Sequence, residues 1–152
     1  MSASNALRHI IELLRREVGP LDTLTITPHP SFPAVSIWAE PHAENGAEIE
    51  LLIGESGAAD LFIADQLHRE YNLQRAADVD ECSRLLLGVI RGGCVRYHAW
   101  FRQFVIVGAS NSQELPDGLP PRGRVAHTWT PWRRGTDEGY ERPAPEVFRA
   151  AW

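Results

Sequence analysis

The stretch AEIELLIGESGAADLFIA, residues 47–64, decides the fold. In its first half Ile49, Leu51 and Ile53 alternate with Glu48, Glu50 and Leu52. Successive side chains of a strand point to opposite faces, so one face is apolar and the other carries acids. GESGA, residues 54–58, supplies loop residues, and DLFIA, 60–64, resumes the apolar run. Two such runs joined by a short Gly-bearing link predict an antiparallel hairpin whose acids point away from the core. GESGA also comes close to the G-x-S-x-G nucleophile elbow, with Ala58 in place of the last glycine. That elbow requires a helix after the turn. A strand follows here, so Ser56 is a turn residue.

Upstream, LDTLTITP (21–28) and AVSIWAE (34–40) predict two further strands, separated by Pro28, Pro30 and Pro33. The second alternates Val35, Ile37 and Ala39 against Ser36, Trp38 and Glu40. Before them, Leu7, Ile10, Ile11, Leu14 and Val18 form one stripe of a helix over 4–18. Ser4 or Asn5 is the expected cap, and Gly19-Pro20 ends the helix.

Downstream, residues 65–77 fit either a loop or a frayed helical turn. Then ADVDECSRLLLGVIRGG carries the clearest helix, with Asp78 as expected N-cap and Glu81 completing a capping box. Cys82, Leu85, Leu86, Val89 and Ile90 form its stripe, and Gly92-Gly93 ends it. CVRYHAWF (94–101) and QFVIVGA (103–109) are a strand pair or one bent strand, because Arg102-Gln103 is a poor turn. Residues 110–123 are a loop, and RVAHTWT (124–130) is a candidate last strand. This order predicts an α+β fold: a mainly antiparallel sheet of about five to seven strands, with two helices packed on one face. Residues 1–152 are expected to form a single domain with an irregular Pro/Gly/Trp-rich C-terminal segment, 110–152.

Composition narrows the function classes. Hydrophobic residues make up 43% and charged residues 23% of 152, as in ordinary globular proteins. The start, MSASNALRHIIELLRREVG, mixes its apolar residues with charges, and no apolar run is long enough for a membrane span, so a cytoplasmic protein with no membrane partner is expected. Cys82 and Cys94 do not make a disulfide framework. All 15 basic residues are arginine, which excludes Schiff-base and P-loop lysine chemistry and fits a GC-rich bacterial source. Residues 40–81 hold eleven acids and two arginines, a net of −9, whereas 82–152 hold ten arginines and six acids, a net of +4. The acidic middle argues against nucleic acid and for a basic partner, with solubility as the simpler role for the same charges.

No motif assigns chemistry. The six histidines lack the i, i+4 spacing of a helical zinc site. Asp78-Val79-Asp80-Glu81 is explained by helix capping and the helix dipole. No cofactor and no metal is therefore expected. His98 and His127 could meet if their strands pair, with Asp65 or Glu70 completing a site, although half-buried strand positions explain both more simply. In the tail, Trp129, Trp132, Tyr140, Phe148 and Trp152 interleave with Arg124, Arg133, Arg134, Arg142 and Arg149. Trp and Arg are enriched in binding hot spots. Trp129 and Trp152 are expected to anchor the segment, while Trp132 and Arg133 are candidate partner contacts.

The first helix, the acidic hairpin AEIELLIGESGAADLFIA, the unit DVDECSRLLLGVIRGGCVRYHAW and the Trp-rich end together resemble the small immunity proteins of bacterial polymorphic toxin systems. The resemblance covers residues 4–109 in layout and charge, and the segment from 110 onward carries no named pattern of its own. It implies a cytoplasmic, non-enzymatic inhibitor that binds a cognate toxin domain and blocks its active site. Charge alone nominates Glu48, Glu50, Glu55, Asp60, Asp65 and Glu70 as contacts to a basic toxin surface. Two other classes stay open: a small enzyme built from scattered His, Asp and Arg, and a small-ligand-binding α+β domain. An open sheet edge would also allow a homodimer.

Overall fold

The computed structural model describes residues 2–28, 34–132 and 141–150. Helix α1 (Ala3–Glu17) and helix α2 (Ala76–Gly92) accompany two antiparallel sheets, an α+β architecture. The first sheet holds β1 (Thr23–Pro28), β2 (Ala34–Glu40), β3 (Ile49–Gly54), β4 (Ala58–Ile63) and β5 (Leu67–Asn72), side by side in chain order. The second holds β6 (Cys94–Ala99), β7 (Arg102–Val107), β8 (Arg124–Trp129) and β9 (Glu146–Arg149), in the order β8-β6-β7-β9. The strands thus divide between two sheets, where the sequence pattern suggests one.

The hairpin forms as its alternation requires. Ile49, Leu51, Ile53, Leu61 and Ile63 are buried, and Leu51 pairs with Leu61 across β3 and β4. Gly57 takes a positive φ of 93° and donates to the Gly54 carbonyl at 3.0 Å, so GESGA is a hairpin turn and no nucleophile elbow.

The residues between this hairpin and α2 form β5, a strand the sequence left undecided. Its inward positions are Leu67, Arg69 and Tyr71, and an arginine in the middle hides the alternation. Arg69 finds partners there: it donates to both carboxylate oxygens of Glu81 at 3.1 Å and lies 5.1 Å over the Phe148 ring. Glu81 is therefore a cross-element ion-pair partner and not the second half of a capping box. The N-cap of α2 is Arg75, without a side-chain bond, while Asp78 accepts from the Asn72 backbone N–H at 2.7 Å and ties β5 to the helix. Likewise α1 is capped by Ser2, whose hydroxyl accepts from Asn5 N–H at 3.2 Å, and not by Ser4 or Asn5.

Both helices contribute to one core, in which Ile10, Leu14, Leu85, Leu86 and Ile90 meet the inward side chains of β2–β5. Cys94, Val105 and Val107 bring the second sheet onto the same core. Glu17, 3% exposed, is the buried charge at the joint between the helices, and Arg91 reaches it from α2 at 3.0 and 2.5 Å. Burial would raise the Glu17 carboxyl, but bonds and charge from Arg91, helped by Arg16, hold it below its ordinary 4.5.

In the second sheet, β6 and β7 are a true pair and not one bent strand: the turn between them is Trp100-Phe101, and Arg102-Gln103, a poor turn, begins β7. Trp100 sits at φ 55°, and the two rings are 76% and 98% exposed. The C-terminal segment contributes more order than expected. It supplies β8 and β9 as the two edges of this sheet. Trp129 packs against the main core from β8. Trp152 lies outside the described residues.

Candidate functional site

Alternation that buries one side of β1–β5 leaves the other side as a continuous outer face. Register places Thr25, Trp38, Glu50, Phe62 and His68 in one row across the five strands. The adjacent row is Thr27, Ser36, Leu52, Asp60 and Glu70. Trp38 and Leu52 are each 37% exposed, large apolar groups at the middle of an acidic surface. Glu40 extends the acids toward the β1 edge, opposite Thr23. Among the described residues of these strands, the sole arginine, Arg69, lies on the inward side. The face is therefore negative around an apolar centre, a composition that suits contact with a basic surface.

Three of the six nominated acids, Glu50, Asp60 and Glu70, stand on this face. Glu55 is in the β3–β4 turn and Asp65 in the β4–β5 turn, at opposite ends of the hairpins. Glu48 precedes β3, and its charge acts on the buried Cys94 thiol of β6, toward the second sheet. Trp132 is corrected outright. It is 4% exposed, its indole N–H donates to the Ala47 carbonyl at 3.0 Å, and its backbone N–H donates to Ile90 O at 3.0 Å. A side chain so enclosed anchors the chain and cannot serve as a partner contact. Arg133 lies outside the described residues.

Sequence reasoning did not nominate Trp38, Leu52 or Phe62. The signal was present, since Trp38 and Leu52 fall on the polar phase of their strands. Phe62 stacks on His68 with centroids 4.5 Å apart and planes within 4°, which fixes the imidazole. His68 Nε2 in turn lies 2.8 Å from Asp60 Oδ1. Asp60, His68 and Glu70 bring one ligand atom each to within 4.8 Å of one another, a donor set of one nitrogen and two oxygens that a divalent cation could use. His68 and Glu70 lie two apart on β5, and the β4–β5 pairing brings Asp60 to them from the neighbouring strand, a meeting that spacing along the chain does not show.

The second place where titratable groups converge lies on the second sheet. Pairing of β6 with β8 sets His127 opposite Arg96, and Arg124 opposite His98. Arg96, His98, Ala126, His127 and Trp129 line one pocket with Gln66 of the β4–β5 turn. The two histidines do come together, but with arginine and glutamine beside them. Neither Asp65 nor Glu70 lines the pocket. Burial, then Arg96 and Arg124, push the His98 imidazole below its ordinary 6.5. The thiols offer no nucleophile, because burial pushes Cys82 up to about 12 and raises Cys94 as well.

Comparison with known proteins returns no matching family model, no matching curated protein and no matching solved structure. No helix among the described residues is long and apolar enough to cross a membrane. Function has to be argued from the surfaces themselves.

Proposed function

We propose that this protein is a non-enzymatic, cytoplasmic binding protein that docks a basic protein surface on the outer face of β1–β5, in the manner of the immunity proteins its layout resembles. The partner in this reading is a toxin domain whose basic active-site surface the face covers. One observation carries the proposal: Glu50, Asp60 and Glu70 surround the exposed Trp38 and Leu52 on a sheet face with no outward arginine among its described residues. Aromatic anchors inside a charged surround are the usual energetic centre of an interface, and the acids would speed encounter and select charge.

The test is affinity capture from the native host, followed by titration of the isolated partner against face variants. Trp38→Ala should weaken binding about 30-fold or more, as for a hot-spot residue worth about 2 kcal/mol. Glu50→Arg with Asp60→Arg should slow association and reverse its dependence on salt. A partner that binds these folded variants as tightly as the parent would refute the assignment.

A further inference from the structure

We propose that the pocket between the β4–β5 turn and the β6–β8 strands binds a small organic anion, a carboxylate or phosphate group carried on a flat, unsaturated body. Three features of the pocket converge on that class of ligand. The first is charge. The lining residues include one guanidinium and two imidazoles, from Arg96, His98 and His127, and no carboxylate. Arg124 stands across from His98 and adds to the same positive field.

The second feature is unmet hydrogen bonding. Arg96 Nε, His98 Nε2 and Gln66 Oε1 are buried atoms without a protein partner, and all three belong to residues that line this pocket. Buried polar groups are nearly always paired, so two orphaned nitrogens beside one cavity mark a place for an acceptor to bind, while the Gln66 oxygen, itself an acceptor, would take a donor on the same ligand. Arg96 is already positioned, because its terminal nitrogen donates to the Gln103 side chain. Its Nε–H is left for an anionic oxygen, and a charge-assisted bond of that kind is among the strong ones. The His98 Nε2 can donate to the same group once the ring is protonated. An anion would favour that protonation, in the opposite direction to the neighbouring arginines.

The third feature is the wall. Trp129 is packed against the core, and His127 meets it edge-on with centroids 4.3 Å apart. Together with Ala126 they make a fixed aromatic and aliphatic surface beside the cations. A bare inorganic anion would leave that surface unused, whereas a flat body attached to the anionic group would cover it.

Calorimetric titration with phenyl phosphate, benzoate, inorganic phosphate and benzyl alcohol tests the proposal, with the His98 and His127 ring protons followed by NMR. Phenyl phosphate or benzoate should saturate at one site per chain, shift both rings, and raise the pH at which His98 titrates. Arg96→Met and His98→Ala should each lower that affinity about tenfold or more, with thermal unfolding showing each variant folded. Trp38→Ala should leave it unchanged, which separates this pocket from the outer face of β1–β5. Lack of saturable binding by either organic anion would overturn the proposal. Benzyl alcohol binding as tightly as phenyl phosphate would overturn the anionic part, and inorganic phosphate doing so would overturn the flat-body part.

Discussion

Replacing Trp132 with phenylalanine separates an anchor from a contact. The substitution keeps an aromatic ring in a site only 4% exposed but deletes the indole donor that reaches Ala47 O at 3.0 Å. Ala47 is itself fully buried, so its carbonyl loses a partner with no access to water. An unsatisfied buried group costs about 1–3 kcal/mol, and the smaller ring adds a little cavity. We expect about 2 kcal/mol of lost stability, or a melting temperature lower by about 4–8 °C for a chain of this size. Trp132→Ala should cost about 3–5 kcal/mol through the larger void. Guanidinium denaturation followed by circular dichroism gives the energies, and titration of the captured partner under native conditions gives the affinity. If Trp132→Phe left stability within about 0.5 kcal/mol and abolished partner binding, the anchoring role would be refuted.

Two further outcomes follow from local geometry. The Glu17 carboxyl titrates below its ordinary 4.5 in the folded chain, so its stabilising effect is complete above that unfolded value and fades as pH falls through the folded one. Glu17→Gln should therefore cost about 2 kcal/mol at pH 7 and flatten the acid limb of a stability–pH curve, and an unchanged acid limb would contradict the Arg91 pairing. Trp100→Gly should raise stability by about 1 kcal/mol, because glycine accepts the positive φ of the exposed turn without strain. A loss of stability on denaturation would mean that the indole packs.

The sequence made the β3–β4 hairpin legible because each apolar residue there keeps to one phase, and both helices were legible from their stripes. Where a polar residue took an inward place, the pattern failed: Arg69 concealed β5 by pairing with Glu81 beneath the sheet. β9 was concealed differently, since Glu146–Arg149 follows Pro143 and Pro145 and is too short to show a period. The division into two sheets had no local signature, because nothing in β5 or β6 records that α2 keeps them apart. Of the sites, Glu50 and Asp60 could be placed on one face by counting alternate residues, whereas Glu70 was hidden with the rest of β5. The meeting of His98 with His127 depended on a β6–β8 pairing that the chain does not encode nearby. Gln66 arrives at that pocket from the other sheet altogether.

The strand orders of the two sheets imply different histories during synthesis. Every pairing in the first sheet joins neighbours along the chain, so it can assemble hairpin by hairpin as it leaves the ribosome. The β6–β7 hairpin must wait, with both of its edges bare, until residues 124–149 have been made. During that interval the chain presents two unpaired strand edges, the form most open to pairing with another nascent copy. The late-arriving β8 and β9 thus serve as a closing clasp, and a ribosome that stalls after residue 110 would release a chain whose first sheet is complete and whose second is still adhesive.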